Sequence, residues 1–147
     1  MESIWIAQLM KQSSWLYPAV ETLHICGLGI LFGVVVMMDL RLLGLGRSLD
    51  ARKLSTLGVP LAIAGLTLAA ITGFLLFLAS ADELIDSTLF LTKISLIFLL
   101  ALNALSVRMR EADIRSAGVD WGLRVQAVLS MAGWLAVIAM GRWLAYV

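Results

Sequence analysis

One histidine, one cysteine and two prolines stand among 147 residues, so the chain is poor in the side chains that build most catalytic and metal sites. The single cysteine, Cys26, excludes an internal disulfide and any cysteine cage for a metal within one chain. No nucleophile elbow, phosphate loop or Ser/His/Asp arrangement occurs, which argues against hydrolytic chemistry. Charge is scarce too, at 14% of residues, where soluble domains carry roughly 25%. A net charge of +1 leaves no electrostatic footprint for nucleic acid. What the chain has in abundance is apolar residues: 61% of the total, with a mean hydropathy of +0.98. They are gathered in runs, the mark of an integral membrane protein.

Four runs are long enough to cross a bilayer, which takes about 20 apolar residues. They fall at about 16–43, 57–79, 88–107 and 122–146 within a single membrane domain over residues 1–147. Ahead of them, at about 3–13, Ile4, Trp5, Gln8, Leu9 and Gln12 recur at helical spacing, which predicts a short amphipathic helix on the lipid surface. The expected fold is therefore all-α, a four-transmembrane-helix bundle with an interfacial N-terminal helix. No cleavage pattern precedes the first run, so that span is expected to be retained. Pro18 fits the first turn of span one, and Pro60 reads as a start signal for span two. Arg41, Arg47, Arg52 and Lys53 crowd the first loop, and Arg108, Arg110, Arg115 and Arg124 the third, while the second, SADELIDS, has three acids and no base. The positive-inside rule then puts both termini on the outer, periplasmic side. Gly29 with Gly33, and Gly65 with Ala69 and Gly73, form small-residue stripes suited to close helix packing or to a homo-oligomer contact.

Ionisable groups within a span are costly in lipid and serve as functional candidates. Span one carries Glu21, His24, Leu28, Leu31, Val35 and Asp39 on one helical stripe. With the inferred topology, Glu21 and His24, Lys93 of span three, and Met140 and Arg142 of span four share one outer layer. His24 is the natural metal-binding residue, and Glu21-x-x-His24 resembles half of a di-iron carboxylate site, but no second such motif occurs. Zinc or copper would have His24 with Glu21, or with Met140 or Cys26. Haem b needs less: His24 as axial ligand, with Lys93 and Arg142 as cationic contacts for the propionates. The second axial ligand is open among Met140, Lys93, a water and His24 of another subunit. A structural role is the alternative, with Glu21 paired to Lys93 or Arg142 and His24 bonded to a neighbour. Toward the inner side, Asp39 is expected to pair with Arg41 or Arg108 as a packing lock, and Asn103 to bond across helices.

WLYPAVETLHICGLGILFGVVVMMDLRLLGLG, FLTKISLIFLLALNALSVR and SMAGWLAVIAMGRWLAYV together resemble a family of small bacterial inner-membrane proteins classed only as a domain of unknown function. Pro18, Glu21, His24, Asp39, Arg41, Leu42, Lys93, Asn103, Gly141 and Arg142 carry the resemblance. More distantly, a histidine in the first span and a lysine in the third are similar to the copper-resistance D-type domains and the haem-binding protoporphyrinogen oxidases. The latter similarity implies a b-type haem on His24, although Asp-Leu-Arg-Leu-Leu-Gly departs from that group's pattern. Three functions follow as expectations. The first is a haem or redox protein passing electrons between a quinone and a periplasmic partner. The second is a channel or transport component for an ion or small solute. The third is a non-catalytic accessory subunit of a larger membrane complex.

Overall fold

A computed structural model describes residues 2–146, apart from the side chains of residues 2–4, 112, 113 and 115. Ile4 of the N-terminal stripe and Asp113 and Arg115 of the third loop therefore lie outside the described side chains. The described chain is all-α, with no strand. Its helices are α1 (Glu2–Gln12), α2 (Leu16–Leu42), α3 (Ala51–Ala79), α4 (Ala81–Leu84), α5 (Thr88–Met109), α6 (Glu111–Ala117) and α7 (Trp121–Trp143).

Four of them, α2, α3, α5 and α7, are long and apolar enough to cross a membrane. Their outward faces are apolar as well: Ile25, Ile63, Phe74, Phe98 and Leu129 are all exposed. Only 6% of the most apolar window of α5 is buried inside the protein. Soluble proteins do not present such surfaces, so lipid is the medium that suits these faces. Trp15, Tyr17, Trp121, Trp143 and Tyr146 are exposed at helix ends, where amphipathic rings favour the membrane–water boundary. Trp134 is different, sitting in mid-helix at 4% exposure.

Local chemistry sets the helix bounds. Ser13 Oγ accepts from the Leu16 amide at 3.3 Å and starts α2. Helix α2 ends in a Schellman turn, with Leu45 N donating to Leu40 O, Gly44 N donating to Arg41 O, and Gly44 at φ +97°. Helix α3 starts at Ala51 rather than near 57, because Asp50 caps it: its Oδ1 accepts from Arg52 N at 2.9 Å. Pro60 consequently lies inside α3 and is not a start signal. Its missing N–H leaves the Thr56 carbonyl without the usual helical donor.

Contacts divide the chain into two compact units. The first runs from α1 to Val34 and resumes over Val59–Ser87; the second comprises Val35–Gly58 and the chain from Thr88 onward. In the first unit, Met10, Val20 and Ala79 form a core with Ile6, Leu16, Leu75 and Leu76. Helix α1 thus anchors through Ile6 and Met10, leaving Trp5, Gln8, Leu9 and Gln12 exposed. Helices α2 and α3 meet backbone to backbone. A Cβ on Gly27 would stand 2.8 Å from Ala69 N, and one on Gly65 would stand 2.8 Å from Gly27 O. The small-residue stripe of α3 packs as expected. On α2 the contact falls to Gly27, since Gly29 and Gly33 have nothing within 4 Å.

In the second unit, Leu123, Ala127, Ser130, Trp134 and Val137 form the buried stripe of α7. Leu100 of α5 covers Gly133. A polar ladder closes one end. Asn103 Nδ2 donates to Gln126 O at 3.4 Å, and Gln126 Nε2 to Ser106 Oγ at 3.4 Å. Arg110 reaches Gln126 Oε1 at 3.5 Å and forms an ion pair with Asp120 at 2.8 Å.

Asp120 also caps α7, accepting from Leu123 N at 2.8 Å. That backbone bond, then Arg110, holds its carboxyl below the usual carboxylate range. A depressed folded pKa gives stability that is present above the unfolded value, about 3.9, and is lost as pH falls through the folded one. Asp120→Ala should therefore melt below the parent at neutral pH, and the gap should close as pH falls from about 3.9 through the lower folded value. Thermal unfolding of both proteins across that range checks it; a pH-independent gap would remove the carboxylate from the account.

Candidate functional site

His24 is the lone histidine of the chain, and its surroundings are well defined. Thr72 in the facing turn of α3 is buried, and its hydroxyl donates to Leu68 O at 2.6 Å. Most span hydroxyls, such as Thr67 and Ser95, likewise bond the carbonyl one turn back and so meet lipid with no loose donor. Thr72 does more. His24 Nδ1 lies 2.9 Å from Ala69 O and 3.1 Å from Thr72 Oγ1. A carbonyl only accepts, and the Thr72 proton is directed to Leu68, so Nδ1 is the protonated nitrogen. In the neutral ring the lone pair then resides on Nε2.

The ring also has a defined seat. A Cβ on Gly73 would stand 3.0 Å from His24 Cε1 and 3.4 Å from Nδ1, so the absence of a side chain there lets the imidazole lie on α3. Glu21, one turn before His24 on the same face, is half-buried, whereas Cys26 is exposed. Cys26 therefore does not share a ligand face with His24. Among the described residues, no three of His, Cys, Asp and Glu gather as a metal cage. Haem is less demanding, since a single axial imidazole suffices, and a ring held by Nδ1–H to a carbonyl fits that role.

The other candidates, Lys93, Met140 and Arg142, belong to the second unit. Lys93 is half-buried, with Nζ packed on α7 at 2.9 Å from where a Gly141 Cβ would stand. Its neighbours in the chain of α7 are Met140, half-buried, and Arg142, exposed. Arg142 donates to Tyr146 Oη at 2.9 Å, and its guanidinium stands 5.1 Å from that ring centroid. The structure thus brings together Glu21 with His24, and Lys93 with the turn that holds Met140 and Arg142.

Asp39 departs from expectation. It is buried, and its side-chain partner is Ser130 rather than Arg41 or Arg108. Arg41 Nε instead donates to Leu49 O at 3.0 Å, tying down the loop, and Arg108 is exposed. The Schellman turn carries the chain back past Arg41, which explains the change of partner. Thr72, Ser130 and Trp134 escaped the sequence reading. A signal for Trp134 existed: a tryptophan in mid-span, one turn after a serine, sits away from both interfacial belts.

The chain matches no protein-family model, no curated protein and no solved structure. The side chains above therefore carry the functional reading by themselves.

Proposed function

We propose that this protein is a b-type haem protein of the bacterial cytoplasmic membrane, carrying electrons between a quinone and a periplasmic partner. One observation carries the reading. His24 is held on α3 with Nδ1–H bonded to Ala69 O at 2.9 Å, which puts the ring's lone pair on Nε2, the nitrogen that would hold haem. The bond to a carbonyl raises the electron density of the ring and sets its orientation. When bound, haem would supply one-electron transfer. Glu21, one turn away on the same face of α2, would be the acid beside the bound group. The charge pattern of the loops supports periplasmic termini.

The test is an absorption spectrum of the protein purified in mild detergent, before and after dithionite, with iron analysis on the same sample. A strong Soret band that sharpens on reduction is the expected result. A sample that stays colourless after haem is offered would discard the reading. A second reading, a channel or transport component, is favoured by buried Asp39, a carboxylate with an unpaired oxygen inside an apolar helix. Proteoliposome flux that is unaltered by Asp39→Asn would count against it.

A further inference from the structure

A second polar centre belongs to the unit that comprises Val35–Gly58 and the chain from Thr88 onward. Asp39 is 8% exposed, Ser130 5% and Trp134 4%. The Asp39 carboxylate is bonded to the Ser130 hydroxyl. Among the described residues, two buried side-chain atoms remain without a protein partner: Asp39 Oδ2, an acceptor, and Trp134 Nε1, a donor. Buried polar groups are nearly always satisfied, and two orphans of opposite kind in one neighbourhood need a common explanation. Ser130 and Trp134 are one turn apart on α7, and both belong to its buried stripe. Side chains on a helix lean toward its N-terminus, a geometry that directs the indole of Trp134 toward the turn carrying Ser130, to which Asp39 is bonded.

We infer that Asp39, Ser130 and Trp134 form a binding site for one buried water molecule, which donates to Asp39 Oδ2 and accepts from Trp134 Nε1–H. The chemistry selects this ligand. A metal cation would satisfy the carboxylate but face the positive end of the indole N–H dipole. An anion would accept from the indole and be repelled by the carboxylate. Water is both donor and acceptor, and a polar site with two or more partners is where buried water is held. The inference uses neither His24 nor haem, so it stands or falls independently of the proposed function.

The test is solution NMR of the full chain in lipid nanodiscs, with the tryptophan indoles labelled with nitrogen-15. Trp134→Phe assigns the Trp134 indole peak among the five tryptophans. The expected result is a cross-peak between that indole proton and water, of the sign given by a long-lived bound molecule, in an indole slow to exchange with solvent. Asp39→Leu should abolish it. Asp39→Asn, which keeps the shape and guards against a fold failure in the leucine variant, should move the Trp134 resonance and leave the other four in place. A parent protein with no water cross-peak at Trp134 would overturn the site. So would a resonance indifferent to Asp39→Asn.

Discussion

Gly27→Ala and Gly65→Ala should each destabilise the protein by about 1–3 kcal/mol, the usual cost of forcing a methyl group into a filled interface. The added Cβ would stand 2.8 Å from Ala69 N in one case and 2.8 Å from Gly27 O in the other. Those neighbours are backbone atoms, so no rotamer change relieves the clash, and α2 and α3 must separate. Separation is costly in lipid, where no hydrophobic drive pushes helices together and close packing supplies the attraction. Valine at either position should prevent the pair from closing. Because both glycines serve one crossing, the double alanine variant should lose less than the sum of the two. Gly29→Ala and Gly33→Ala are the controls, since a Cβ at either would meet no atom beyond its own helix within 4 Å. They should be neutral or slightly stabilising through helix propensity. Unfolding in mixed micelles with rising denaturing detergent, followed by far-ultraviolet circular dichroism, ranks the four. Equal loss at Gly27 and Gly29 would mean that the crossing lies elsewhere.

On the proposed haem reading, His24→Ala should remove all pigment while the protein still purifies as a folded helical species. The loss is complete because no other imidazole exists in the chain. Deletion of the ring also removes the hydrogen bond to α3, which is worth about 0.5–1.5 kcal/mol, a cost that the Gly27–Gly65 crossing can absorb. Thr72→Val separates the two roles. It leaves the 2.9 Å bond from Nδ1 to Ala69 O and takes away the second acceptor at 3.1 Å. Pigment should be retained with a raised midpoint potential, because an imidazole with a weaker Nδ1–H acceptor donates less electron density to iron. Redox titration of parent and variant, with haem content per protein, reads both effects. Pigment that survives His24→Ala would move the ligand to another residue.

Several parts of this molecule are local and were legible in the chain itself. The four long apolar helices follow from run length. The N-terminal helix follows from spacing. The stripe from Glu21 to Asp39 was also legible, since its residues are buried or half-buried while Leu23, Ile25, Cys26 and Ile30 between them are exposed. Pairing was not legible. Helices α2 and α3 are apolar on every side, so no contrast between faces marks which small residue meets a neighbour, and Gly27 rather than Gly29 or Gly33 took the crossing. Asp39 had charged candidates nearby in sequence, but the turn after α2 directs Arg41 to Leu49, and burial brings the carboxylate to Ser130. The tautomer of His24 likewise depends on a carbonyl and a hydroxyl contributed by residues 69 and 72, which only the approach of α3 supplies. Sequence alone determined the medium, the helices and the scarce polar residues worth watching; tertiary structure decided their partners, because a hydrogen bond between helices depends on rotation and depth, and apolar periodicity specifies neither.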